Sequence, residues 1–249
     1  MFFSFVSLLE LTLLVTGIML LFHRWGYSIA HALSLAIVVT LLVLSLIFQI
    51  SFLLGIPGLS FPVEGVLVAG ALVIIFRERY RLSEICISLF LFMRCHSVMS
   101  GIVVLCIVYL GLQALLLPEG NNDSMRYNLT RVLLFQQERS MLLTNVTEYH
   151  QAVLPVGGDI ITHLFLRYYT DYGLATISFL AFLSIGFGAY ALSRNYASSH
   201  VSWTVMLIVI SFPLLVRQAT GTKPDILATS VVVLCLLSAE RMLSYPNLR

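Results

Sequence analysis

The side chains best suited to chemistry fall in two polar stretches that are far apart in the sequence. Asp123 lies in the motif NNDS, and Asp225 follows Lys223 and Pro224 in TGTKPD. A carboxylate can act as a general base or bind a divalent metal, and a lysine beside it supplies a cation for a phosphate. We therefore expect Asp123 and Asp225 to be the catalytic pair and, where a metal is used, its ligands.

Further basic and aromatic side chains surround the two aspartates. Arg126, Arg131 and Arg217 are candidate phosphate ligands, because a guanidinium group pairs with two phosphate oxygens at once. His150, which follows Glu148, is a candidate for acceptor binding or proton transfer. Each side chain also has a structural alternative. The aspartates are good helix caps, the arginines are good interfacial anchors, and His150 suits a solvated loop.

The composition excludes a soluble globule. Hydrophobic residues make up 59% of the 249 residues and charged residues only 10%, which is typical of an integral membrane protein. The net charge of +2 is too small to indicate a nucleic-acid partner. The four cysteines lie in or beside apolar runs without metal-ligand spacing, so we interpret them as packing residues.

One segment, residues 118–172, holds ten of the 26 charged residues. We expect it to be an extramembrane loop that lies on the bilayer surface. From Met125 the alternation of apolar and polar positions predicts an amphipathic helix in the membrane interface. Such a helix would hold Asp123 where a lipid headgroup and a water-soluble acceptor can meet.

Apolar runs of sufficient length predict about seven membrane spans. The predicted spans are 2–22, 28–54, 64–76, 98–117, 174–192, 201–216 and 226–239. The run 82–96 is short and bracketed by arginines, which favours an interfacial helix. The predicted fold is an all-α polytopic transmembrane bundle whose extracytoplasmic loop carries amphipathic interfacial helices. Residues 1–97 are expected to form the N-terminal helices with an arginine-rich cytoplasmic loop, and residues 98–249 the core.

The arginines of the short loops indicate the orientation. With residues 82–96 not crossing, all these arginines lie on one side, which the positive-inside rule identifies as cytoplasmic. The 118–172 and 217–225 loops then face outward, to the periplasm or the lumen of the endoplasmic reticulum. If residues 82–96 do cross, both loops change sides together and still share a face.

The two polar stretches carry a family resemblance. NNDSMRYNLTRVLLFQQERS resembles the first extracytoplasmic loop of GT-C-type polytopic glycosyltransferases, and RQATGTKPDILAT is similar to the second motif of that group. The resemblance covers about residues 98–241. The matching positions in the first motif are Asp123, Ser124, Tyr127, Asn128, Leu129, Arg131 and Val132.

This resemblance implies a function. The enzymes move a sugar from a polyprenyl-phosphate carrier to a glycan, lipid or protein acceptor, with a loop aspartate as general base. By analogy Asp123 is the base, Asp225 the second acid, and Tyr127 part of the substrate site. Some members use a divalent metal, Mg²⁺ or Mn²⁺. A bacterial inner-membrane location with the loop in the periplasm is expected. Because family members have more spans, we expect an N-terminal part or a truncated relative.

Two other classes of function remain open. A transporter or flippase-like protein predicts ionisable residues at mid-bilayer, where Glu10 is the candidate. A catalytically silent assembly subunit is favoured if Asp123 and Asp225 lie far apart.

Overall fold

The computed structural model describes residues 2–95, 97–120, 122, 124–143, 151 and 155–244. These residues form helices and connecting turns, with no strand in the ranges given. The helices are α1 (Phe2–Arg24), α2 (Ile29–Leu53), α3 (Ser60–Arg77), α4 (Arg79–Cys95), α5 (Ser97–Leu116), α6 (Leu129–Glu138), α7 (His163–Leu166), α8 (Thr176–Arg194), α9 (Ser199–Ile210), α10 (Pro213–Ala219) and α11 (Asp225–Ser244). A π-helical turn, Ser124–Asn128, leads into α6, and 3₁₀ turns at Pro57–Leu59 and Ile160–Thr162 precede α3 and α7.

Within the described part of the chain, six helices are long and apolar enough to cross a membrane. The all-helical membrane-protein class predicted from the sequence is therefore confirmed. The sixth of the seven predicted spans, 201–216, is not one straight helix, because α9 and α10 meet at 67°. Pro213 at the start of α10 cannot continue the hydrogen bonding of α9, which accounts for the break. Counting this bent pair as one span gives seven.

Helix α2 lies at the centre of the bundle and packs against α1, α8 and α11. Ser34 of α2 and Ser184 of α8 join their helices reciprocally. Each hydroxyl donates to the other residue's backbone carbonyl, at 2.9 and 3.1 Å. On the same face of α8, a Cβ at Gly188 would lie only 2.4 Å from Val233 of α11. Small residues thus bring three helices together, as is common between membrane helices.

The two ends of the bundle differ in chemistry. At one end, Glu78 lies 3.4 Å from Arg24 and 3.6 Å from Arg81, and Arg241 donates to the carbonyl of Trp25. Helix α4 begins at this end beside Glu78, and its Phe92 stacks on Trp203 near the start of α9, at the same end. Both ends of α4 therefore lie at the basic end. This agrees with the prediction that residues 82–96 do not cross, and α4 is not among the six spanning helices.

The opposite end carries the polar segments, and here the structure corrects the sequence interpretation. Residues 118–172 were expected to lie on the bilayer surface, but the stretch 159–166 is buried in the bundle. Phe165 is fully buried, and the ring of His163 packs edge-on against Phe48 and Phe52 of α2. The run IITHLFL is apolar enough to join a core, which explains its position.

Residues on both sides of the predicted 97/98 boundary contribute to one hydrophobic core. That core contains Leu20 and Phe48 from the N-terminal part and Phe165, Phe182 and Ile226 from the C-terminal part. The two predicted units thus follow each other in sequence and share their interior.

Candidate functional site

A cavity of about 540 Å³ lies at the polar end, between the chain that follows α5 and the chain around α10. Its size falls within the range of small-molecule sites, roughly 300–1,000 Å³. Two cations line it, Arg217 from α10 and Lys223 from the turn before α11. The remaining lining residues are Glu119, Gly120, Asn122, Leu214, Gln218, Thr220 and Gly221. The cavity therefore joins the two stretches that the sequence singled out.

Asp225 is the first residue of α11, and its side chain is exposed. At this position the positive end of the helix dipole favours a carboxylate. Pro224, just before it, packs on the 118–172 segment. A Cβ added to Gly158 would lie 2.4 Å from the Cβ of Pro224, so only glycine permits this approach. The start of α11 thus packs against the loop that contains Asp159.

A buried ion pair supports this junction. The guanidinium of Arg131 in α6 bonds to the carboxylate of Asp159, and the two side chains are each 1% exposed. The same guanidinium donates to the carbonyl of Pro155 at 3.1 Å. Arg131 was expected as an interfacial phosphate ligand, and the structure corrects its position. It is buried because α6 turns Leu129, Val132 and Phe135 toward the core and Arg131 shares that side.

Burial raises the pKa of Asp159, the Arg131 guanidinium lowers it, and the negative charge of Asp225 raises it further. The net direction is upward, because removal from water outweighs the single cation. The close approach of Gly158 to Pro224 brings the backbone beside Asp159 against the backbone beside Asp225. Two polar segments that are separate in sequence therefore share one electrostatic environment.

The other predicted substrate-site residues are distributed as follows. Arg126 is exposed in the π-helical turn, and its backbone carbonyl accepts a hydrogen bond from Gln151 at 3.1 Å. Tyr127, in the same turn, is half-buried. Asp123 and His150 lie outside the described residues, so their predicted roles stay predictions. The chain on both sides of Asp123 is described, and Asn122 lines the cavity.

The resemblance implies a metal at Asp123 and Asp225 in some members. Among the described residues, no three His, Cys, Asp or Glu side chains are placed to hold a metal ion together. Asp159, the carboxylate that interacts with Asp225, is already neutralised by Arg131. Because Asp123 lies outside the described residues, a metal at Asp123 and Asp225 stays a prediction.

Sequence reasoning missed two acidic residues of this region. Glu119 lines the cavity with the two cations, and both of its carboxylate oxygens face Gly221, at 3.9 and 4.0 Å from the position a Cβ would occupy there. Asp159 was given no role from the sequence. The signal that could have found Glu119 is its place directly after Pro118, where α5 ends. Asp159 has no comparable local signal, because its partner Arg131 is 28 residues away.

Glu10, the ionisable residue that a transporter interpretation singled out, is paired. Its carboxylate lies 3.0 Å from Arg167, which also contacts Glu64 at 2.7 Å. Glu64 lies one turn into α3, so the cluster sits toward the polar end of the bundle. Arg167 contacts both acids there, as is usual for ionisable groups inside membrane proteins, which face one another rather than lipid.

Comparison with known proteins gave no match: no family model, no curated protein and no solved structure is similar to this chain. The functional conclusion therefore depends on the site itself and on the motif resemblance.

Proposed function

We propose that the protein is a membrane glycosyltransferase, or a part of one, that transfers a sugar from a polyprenyl-phosphate carrier to an acceptor at the polar end of the bundle. The observation that carries this proposal is the meeting of the two polar segments. Arg217 and Lys223 line one cavity, and Asp225 follows Lys223 by two residues in the chain. The cations that bind a phosphate leaving group and the carboxylate that acts as a base would then lie in the same part of the protein.

We assign the following roles, of which those of Asp123 and His150 depend on the motif resemblance and on the sequence. Arg217 and Lys223 bind the phosphate of the donor and stabilise the negative charge that develops on it as its bond to the sugar breaks. Asp123 accepts the proton of the acceptor hydroxyl, and Asp225 assists it as the second acid. Arg126 is a further phosphate ligand, Tyr127 contributes to the substrate site, and His150 binds the acceptor. Arg131 acts indirectly, because it holds Asp159 against the start of α11.

A membrane location of the donor fits the surroundings of the cavity. Leu214 of α10 lines the cavity, and Phe212 lies two residues before it. Each of these two residues is 56% exposed. The break between α9 and α10 thus leaves apolar surface next to two cations. This combination suits a phosphate attached to a long isoprenoid chain. A water-soluble nucleotide-sugar would gain nothing from the apolar surface.

The test uses the full chain in lipid nanodiscs with a radiolabelled polyprenyl-phosphate sugar. Asp123→Asn and Asp225→Asn should each lower transfer at least 100-fold, whereas Asp171→Asn, an exposed aspartate of the same segment, should leave it unchanged. Transfer that survives Asp123→Asn would refute the proposal.

A second experiment measures donor binding separately. Arg217→Gln and Lys223→Gln should each weaken binding of polyprenyl phosphate to the nanodisc-embedded protein, by about tenfold for a lost charged hydrogen bond. Arg77→Gln, an exposed arginine at the opposite end of the bundle, is the matched control. Equal binding by all three variants would place the phosphate elsewhere.

A further inference from the structure

A buried charge cluster connects three parts of the bundle away from the cavity. Arg167, which follows α7, lies 3.0 Å from the carboxylate of Glu10 in α1 and 2.7 Å from that of Glu64 in α3. The exposed fractions of these side chains are 5%, 11% and 4%. The guanidinium also lies over the rings of Phe61 and Tyr168, at 4.6 and 5.1 Å. Water is therefore largely excluded from all three charges.

The charges in this cluster do not balance. Two carboxylates face one guanidinium, which leaves one surplus negative charge if both acids are ionised. Both carboxyl groups contact the same guanidinium, at 3.0 and 2.7 Å, so the two acids lie close to each other. Like charges this close cannot both remain ionised in a dry interior without a further counter-charge. Glu10 Oε1 is buried and accepts no hydrogen bond from the described residues.

The neighbouring titratable groups do not supply the missing positive charge. His163 lies in the same buried segment, and its pKa is lowered to about 3 by burial and then by the charge of Arg167. It is therefore neutral at physiological pH, and its Nδ1 is hydrogen-bonded to Gln136 at 2.7 Å. Tyr168 contributes a ring face to Arg167 and no positive charge.

We propose that the Glu10–Arg167–Glu64 cluster is a proton-binding site that holds one proton between its two carboxyl groups. With this proton, one carboxyl group is neutral and donates to the other, and the ionised one is matched by Arg167. The occupied cluster then has no net charge. A monovalent metal ion is the alternative occupant, and the experiment below separates the two.

The position of the cluster gives the proton a structural effect. Arg167 directly follows the buried stretch 159–166, and Gly158, directly before that stretch, packs on Pro224 at the start of α11. Ser7 of α1 donates to the carbonyl of Leu164 in the same stretch, at 2.7 Å. When the proton is lost, both carboxylates are ionised and repel each other beside the end of the stretch 159–166. This stretch is then held less firmly, and so is the start of α11, which packs on the residue before it.

The test is infrared difference spectroscopy of the full chain in lipid nanodiscs near neutral pH. The wild type should show the C=O stretch of a protonated carboxyl group, and this band should be lost completely in Glu10→Gln and in Glu64→Gln. Either substitution leaves one carboxylate for Arg167 and removes the need for the proton. Glu84→Gln, at an exposed site on α4, should retain the band in full.

Melting temperatures provide the second measurement. The melting temperature of the wild type should fall as the pH rises into the alkaline range, and that of Glu10→Gln should not fall. Glutamine has the shape of a neutral carboxylic acid, so this variant is expected to fold.

If Glu10→Gln does not fold, the wild-type band decides the question, since it must disappear on alkaline titration. Absence of the band in the wild type would overturn the proposal. So would its persistence in both glutamine variants, or a melting temperature that depends on Na⁺ and not on pH.

Discussion

The contact between Gly158 and Pro224 offers a direct test of how the two polar segments are joined. Replacement of Gly158 by alanine would place a Cβ 2.4 Å from Pro224 Cβ and 3.2 Å from its Cα. The proline ring cannot rotate away, so the loop and the start of α11 must separate by about 1 Å to reach an ordinary contact of 3.4 Å.

The structure allows both consequences to be estimated. Insertion of a methyl group into a filled contact costs about 1–3 kcal/mol of folding free energy. A displacement of about 1 Å at the residue before Asp225 costs about 100-fold in rate if Asp225 takes part in the reaction. We therefore expect a modest loss of stability together with a large loss of transfer.

The adjacent glycine is the matched control. A Cβ at Gly157 would lie 3.6 Å from Gln49 Nε2 and 3.8 Å from Ser45 Oγ, which are ordinary contacts. Both variants replace a loop glycine by alanine, so they reduce the backbone flexibility of the loop to a similar extent. Only Gly158→Ala forces the loop away from Pro224. Melting temperature and sugar transfer are measured for both variants in nanodiscs. Equal transfer by the two variants would refute the claim that this contact positions Asp225.

Three further predictions concern stability. Arg131→Met should destabilise the protein by about 3–5 kcal/mol in mixed-micelle denaturation, because it leaves the buried carboxylate of Asp159 without its cation, and Arg131→Met with Asp159→Leu should recover much of the loss. Gly188→Ala should cost about 1–3 kcal/mol, since its Cβ would meet Val233 at 2.4 Å, and Val233→Ala should relieve this cost in the double variant. The pKa of His163 falls from 6.5 to about 3 on folding, so the unfolded chain binds a proton there at a higher pH than the folded chain does. The free energy of unfolding should therefore decrease as the pH falls through that interval. An NMR titration that finds His163 protonated at pH 6 in the folded protein would contradict this.

Much of the fold was predictable because membrane spans are marked by local composition. The apolar runs of α1, α2, α5 and α8 are long and uninterrupted, so their helices were found within a few residues. The broken span was harder to predict. Pro213 was visible in the sequence, but the apolar residues on both sides of it continue one hydropathy peak, and only the 67° bend shows two helices.

The buried stretch was mistaken for surface loop for a physical reason. Its seven apolar or weakly polar residues are fewer than a span needs, and the surrounding segment is rich in charge. Whether such a run packs inside depends on the space that α1 and α2 leave, which local sequence does not encode. Arg131 illustrates the same difficulty, because a charge on an amphipathic helix is normally placed in water. Its burial depends on Asp159 in another part of the chain.

The candidate site was predictable in part. Lys223 and Arg217 were selected by residue type and by topology, and the structure places both in one cavity. Glu119 was missed because it stands close to a helix end, where an acidic residue is ordinary. Arg167 was missed because its partners are 157 and 103 residues away. An acid in an apolar run, such as Glu10, indicates that a basic partner is needed. The sequence does not show which basic residue that partner is.

The distance between Glu10 and Arg167 along the chain has a consequence for biogenesis. Glu10 and Glu64 leave the ribosome 157 and 103 residues before the arginine that completes their cluster. During that interval, Glu10 and Glu64 are without the guanidinium that pairs with both of them in the folded protein. Because an unpaired charge inside a membrane is costly, each acid must be neutral or in contact with water until Arg167 is translated. A chain that terminates before this residue would present unmatched acids to the bilayer and become a substrate for membrane quality control.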